Sequence, residues 1–166
     1  MVYLRKILVT TDLSDFSLAA IEYAASFGLL YSARLYLLHV VDKVPATFSL
    51  HGLDPDATPI SQNLEAQHTR MLEEFVAKKL GADMKLTLIV RSGTPSDEIQ
   101  HFAEEEGIDL IVMATHGRTG LRHIVLGSVT EKVVRLSTVP VLTVKPQPSQ
   151  ENILQSEDIE SELHLH

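Results

Sequence analysis

Glycines at 117, 120 and 127, arginines at 118 and 122 and the hydroxyl of Ser128 fall close together, a set of residue types suited to holding a polyphosphate. Glycine lets backbone N–H groups approach an anion with no Cβ in the way, and it permits positive φ. The segment leaves an apolar run that ends at Thr115 and enters Ser128-Val129-Thr130-Glu131, which has the form of a capping box. A helix opening there adds N–H groups and the positive end of its dipole, while Arg118 and Arg122 add charge. His116 and His123 in the same loop are further candidates for phosphate contact, with solvent exposure the favoured reading of both. Neither common phosphate fingerprint is present: there is no G-x-x-x-x-G-K-[ST], and Gly117 and Gly120 do not make G-x-G-x-x-G. A second polar segment, Thr10-Thr11-Asp12, closes the first apolar run. Its carboxylate is placed either for ligand contact or to begin the next helix, and its two threonines read as scaffolding.

Signals for covalent chemistry are missing. Ser128 has no evident His and acid partners, and no G-x-S-x-G elbow occurs. Ser128 also has a complete structural account as a helix cap, and Gly127 as part of the helix entry. His51, His68, His101, His164 and His166 lack metal-ligand spacing, so no metal site is expected. His39, inside an apolar run, reads as a hydrogen-bonded core or rim residue. Glu104, Glu105 and Glu106 read as a solvated helix end.

The elements that must position these groups alternate regularly. Leu4 to Thr11 is a strand, and Ser14 is placed to cap a helix carrying Phe16, Ala19, Ala20, Tyr23, Ala24 and Phe27 at helical spacing, with Gly28 near its end. Arg34 to Val41 is almost continuously apolar, as expected of a strand buried on both faces of a parallel sheet. Asp42 to Pro59 reads as a long surface loop, and Ser61 to Leu80 as an amphipathic helix closed by Gly81, with Leu64, His68, Met71, Leu72, Phe75, Val76 and Leu80 on one stripe. Lys85 to Arg91 looks like an outer strand, followed by a helix capped at Thr94, with Pro95 in its first turn, and ended by Gly107. Asp109 to Thr115 is a central strand, Ser128 to about Leu136 a helix, and Val139 to Lys145 the last strand. Strands alternating with helices imply a parallel sheet with right-handed crossovers. Such sheets bind ligands beyond the strand carboxyl ends, where the strand order reverses. If the first strand lies beside the fourth, that crevice is lined by Thr10 to Asp12 and by Met113 to Ser128.

Composition narrows the function. The chain has 166 residues, right for one domain, and no cysteine, in keeping with a cytoplasmic location. The net charge is −8, and five acids with no Lys or Arg lie from Pro146 onward, leaving −3 on the body. An acidic chain without tryptophan disfavours nucleic acid as a partner, and no apolar stretch is long enough to span a membrane.

Taken in order, Ile7-Leu8-Val9-Thr10-Thr11-Asp12-Leu13-Ser14, Leu38-His39-Val40-Val41-Asp42, Asp109 to Gly117, Leu126-Gly127-Ser128-Val129 and Val139 to Val144 resemble the universal stress protein family. The resemblance covers residues 1 to about 145 and leaves 146–166 as an acidic, flexible tail. ATP-binding members show glycine, two residues, glycine, nine residues, then glycine and Ser or Thr. Gly117, Gly127 and Ser128 fit that pattern, whereas the first glycine position is Ala114. The resemblance implies that Gly117 and Gly127 approach ribose and phosphates through their backbone and that Ser128 is a phosphate ligand. It also implies Asp12 near the ribose, Val40 supplying backbone contacts to adenine, and Met113 and Val129 lining the pocket. The candidate site is therefore Thr10, Thr11, Asp12, Val40, Met113, Ala114, Gly117, Arg118, Gly127, Ser128, Val129 and Thr130, with ATP as ligand. The predicted fold is one α/β domain of the adenine nucleotide alpha-hydrolase-like, Rossmann-like type: a five-stranded parallel sheet of order 3-2-1-4-5 with two helices on each face. Resemblance also implies a homodimer through the last strand, where Val139, Val141, Leu142 and Val144 offer apolar side chains. The expected role is an ATP-responsive stress regulator. Alternatives are a slow ATPase or phosphotransfer enzyme using Mg²⁺ in the same pocket, and a member that binds no nucleotide and acts through protein contacts.

Overall fold

The computed structural model describes residues 3–42, 58–80, 84–115 and 126–146. The apolar runs become strands β1 (Lys6–Thr10), β2 (Arg34–Asp42), β3 (Leu86–Gly93), β4 (Leu110–Ala114) and β5 (Val141–Val144). Between them lie helices α1 (Phe16–Tyr31), α2 (Thr58–Lys79), α3 (Pro95–Glu106) and α4 (Ser128–Leu136). All strand pairs are parallel, and the order is β3-β2-β1-β4-β5. The expected architecture is the one observed.

Alternation along β1 and β2 divides the core into two layers. Ile7, Val9, Leu35 and Leu37 face α1 and α2, where Ala20, Ile21, Ala24 and Leu72 are buried. Leu8, Tyr36 and Leu38 face α3 and α4 and meet Ile99, Phe102 and Val133. Burial on both faces explains why β1, β2 and β4 read as continuous apolar runs, while β3, at the edge, is only partly buried.

Several local expectations need correction. Tyr23 does not face the core: it is 55% exposed, and Ile21 takes the buried place; Met71, expected on the apolar stripe of α2, is exposed as well. The stripe that meets the sheet is Ser17, Ala20, Ile21, Ala24 and Gly28, and apart from Ile21 these are small residues that let α1 lie close to the strands. Gly28 does not end the helix. A Cβ there would come within 2.9 Å of a Leu35 methyl, so glycine serves packing, and α1 runs on to Tyr31 with left-handed Ser32 as its C-cap.

Ser14 is not the cap of α1; Asp15 holds that position, without a side-chain cap bond. The Ser14 hydroxyl instead donates to Asp12 Oδ1 at 2.6 Å. Helix α2 starts at Thr58, earlier than expected, with Pro59 in the first turn, where a missing N–H costs no hydrogen bond. The rest of the expected loop, residues 43–57, lies outside the described residues, as do Gly81 and the tail from 147. Thr94 caps α3 through its backbone, its carbonyl accepting from the Asp97 and Glu98 amides at 3.0 Å each, and Gly107 ends the helix at φ 61°. Among the described residues no helix is long and apolar enough to cross a membrane.

Candidate functional site

At β1 the strand order reverses, and the carboxyl ends of β1, β2 and β4 splay around a cavity of about 550 Å³. That volume is within the usual range for small-molecule sites, about 300–1,000 Å³. Thr10, Thr11 and Asp12 enter it from the end of β1, Val40 from β2, and Met113 and Ala114 from β4. Gly127, Ser128, Val129 and Thr130 enter from the start of α4. Ten of the twelve residues singled out in the sequence are thus brought together. The other two, Gly117 and Arg118, lie outside the described residues.

The floor is held by the turn after β1. Thr11 is buried; its amide donates to the Leu38 carbonyl at 3.0 Å, and its hydroxyl oxygen accepts from the Leu13 amide at 2.9 Å. Asp12 Oδ1 accepts from the Ser14 amide at 3.1 Å as well as from its hydroxyl. These bonds hold Leu13 at φ 66°, a conformation costly for a branched side chain, and so fix where Asp12 stands. Sequence reasoning missed Leu13, because nothing in a leucine marks a left-handed backbone.

The opposite wall is the junction of β4 and α4. Gly127, not Ser128, is the N-cap, so the expected capping box does not form. The Gly127 amide donates to the Thr115 carbonyl at 2.7 Å, and the Gly127 carbonyl accepts from Glu131 at 2.8 Å, which starts the helix one residue early. Gly127 has an extended backbone that any residue adopts, φ −65° and ψ 152°. Among the described residues an added Cβ would meet only the Thr115 carbonyl, at 3.4 Å. Packing against the described residues therefore does not demand glycine here. A glycine cap also leaves the first turn of α4 without a side-chain acceptor, on the cavity side.

Two histidines in the wall were not foreseen as a pair. His39 of β2 is 3% exposed and hydrogen-bonded, as its apolar surroundings led one to expect; His68 reaches it from α2. Spacing gave no sign of this contact, since the two residues belong to different elements. Charged residues lining the cavity among those described are Asp12 and Asp42, with no Lys or Arg. Among the described residues no group of three or more potential ligands is arranged to hold a metal ion.

A doubly wound parallel sheet with a glycine-capped helix over its switch point defines an α/β protein whose cavity opens at the strand ends. The universal stress protein family model matches residues 4–145. Universal stress protein MJ0577 of Methanocaldococcus jannaschii is 36% identical over 87% of this chain and 97% of its own. Universal stress protein YxiE of Bacillus subtilis is 34% identical, over 85% and 99%. The solved structure of MJ0577 superposes with a TM-score of 0.73 at 33% identity, covering 89% of this chain and all of the other. A universal stress protein crystallised in complex with cAMP superposes at 0.60 with 25% identity, covering 87% and 99%. The chain belongs to the universal stress protein family.

Proposed function

We propose that this stress protein binds ATP in the cavity above β1 and β4 and acts as a nucleotide-responsive regulator. The observation that carries the reading is Gly127: its conformation and its described neighbours leave room for a side chain, yet the residue that caps α4 on the cavity side has none where an anion would arrive. The cAMP bound by a structural relative supports an adenine nucleotide as the class of ligand. Val40 and Met113 would bound the base, Asp12 the ribose, and Gly127, Ser128 and the first-turn amides of α4 the phosphates. Arg118 would supply charge that the described lining lacks. Ala114 stands where the family's ATP-binding pattern has glycine, and its methyl is the feature of this chain that opposes the reading.

ATP alters partner binding only as far as it prefers one conformation of the protein. The same reading includes a homodimer formed along β5, an outer strand of the sheet. Calorimetric titration of the full chain with ATP tests the reading, with identification by mass spectrometry of any nucleotide retained through purification. Saturable binding is expected; none up to about 1 mM ATP, with the protein shown folded, rejects it.

A further inference from the structure

The rings of His39 and His68 lie nearly parallel, 14° apart, with His39 Nε2 2.9 Å from His68 Nδ1. The other nitrogen of His39, Nδ1, is 2.9 Å from the Thr11 carbonyl oxygen. A carbonyl only accepts, so Nδ1 carries a hydrogen, and in the neutral ring Nε2 is left as an acceptor. His68 Nδ1–H then donates to it. One added proton is accommodated without loss, since either ring can carry it while a single hydrogen stays between Nε2 and Nδ1. A second added proton is not. Both nitrogens would then present hydrogens to each other, and two positive rings would share one site in the wall.

We infer that this pair is a proton-controlled latch, which holds the cavity-facing part of α2 against β2 and lets it go when both rings are charged. The latch spans the elements that shape the cavity. His39 ties β2 to Thr11, the residue before Asp12, while His68 and Leu64 bring α2 to the rim. Farther along α2, Leu72 is fully buried and Phe75 and Val76 pack on the core, so release is confined to the part nearer residue 64.

Among the described residues few charges compete with the pair. Asp12 after β1 and Asp42 at the end of β2 line the same cavity. Glu65 lies one turn before His68 on the exposed side of α2. Asp15, before α1, is paired with Lys79 at the far end of α2 at 2.8 Å. From β3 the neighbour of His39 in register is apolar Val90. The two aspartates do not remove the clash between two hydrogens that face each other across one bond. That release weakens nucleotide binding rests on the functional reading above, whereas the latch itself does not.

Hydrogen exchange on the ligand-free full chain, from about pH 8 to about pH 5, covers the range in which histidines gain charge. After correction for intrinsic rates, peptides over residues 64–72 should lose protection by about tenfold while α1 keeps its own, the loss of roughly one hydrogen bond. His68→Gln should abolish that change, because an amide offers both a donor and an acceptor and can bridge His39 in either charge state. Protection over 64–72 that ignores pH, or the same loss in His68→Gln, overturns the latch. Ring ¹⁵N spectra of the native chain give a second measurement: two separated titration steps with Nδ1 of His39 protonated throughout support it, and two independent titrations refute it. ATP titration at about pH 8 separates the ideas. Absence of binding there ends the nucleotide reading and leaves the exchange result to judge the latch.

Discussion

The hydroxyl of Thr130, in the first turn of α4, donates to the carbonyl oxygen of Ala114, the last residue of β4, at 3.0 Å. Beside it the Gly127 amide bonds to the Thr115 carbonyl. Together these two bonds tie the tip of β4 to the start of α4 and set the separation of the two. Thr130 is 5% exposed, and its bond takes no part in the helix ladder. It is a spacer for the site.

Thr130→Val keeps the shape and removes the donor, leaving the Ala114 carbonyl short of a partner. The expected loss is about 1–2 kcal/mol of unfolding free energy, measured by urea denaturation. ATP affinity should fall with it, because α4 is no longer held at the strand tip. Unchanged affinity in a destabilised but folded variant would show that the spacing does not matter to the ligand.

Ala114→Gly tests whether one methyl crowds the nucleotide. Overpacking by a methyl costs about 1 kcal/mol, so its removal should tighten ATP binding roughly fivefold by calorimetry. Thermal stability should drop slightly, since glycine weakens a strand by about 0.5–1 kcal/mol. Affinity that stays level or falls would clear Ala114 of obstruction.

The architecture was legible because the apolar runs β1, β2 and β4 are buried on both faces, and burial of that kind leaves a continuous pattern in the sequence. The cavity residues were legible too, since strand order fixes where such a sheet opens, and most candidates lay within a few residues of a strand end. Helix starts were read less well. Ser14 and Ser128 have the right side chains for caps, but Asp12 takes up the first and the Gly127–Thr115 bond displaces the second. Both losses come from tertiary contacts that no local rule registers. The same holds for His39 and His68, whose meeting depends on how α2 lies across β2.

Gly28→Ala sets helix propensity against packing. Alanine favours a helix interior over glycine by about 1 kcal/mol. Here the new methyl meets Leu35 at 2.9 Å in a buried layer, an overpacking that costs about 1–3 kcal/mol. Net destabilisation of about 1 kcal/mol is expected by urea denaturation. In a Leu35→Ala background the same change should stabilise, because propensity alone remains. Additive effects in the double-mutant cycle would mean that the contact with Leu35 is not why glycine stands there.

Thr143→Pro addresses the dimer through the hydrogen-bonding parity of β5. The Ile111 amide donates to the Pro140 carbonyl and the Thr115 amide to the Val144 carbonyl. In a parallel ladder alternate residues bond to a given neighbour, so residues 140, 142 and 144 serve β4 while Val141 and Thr143 present their amides to the open edge. Proline at 143 removes an outward donor, leaves the inward ladder intact and is tolerated on an edge strand in that orientation. Circular dichroism should be unchanged, and sedimentation equilibrium should show a dimer for the native chain and a monomer for the variant. Thr143→Val, which keeps the amide, should remain dimeric. A proline variant that still dimerises would move the interface away from the β5 edge, to side-chain contacts or another face of the molecule.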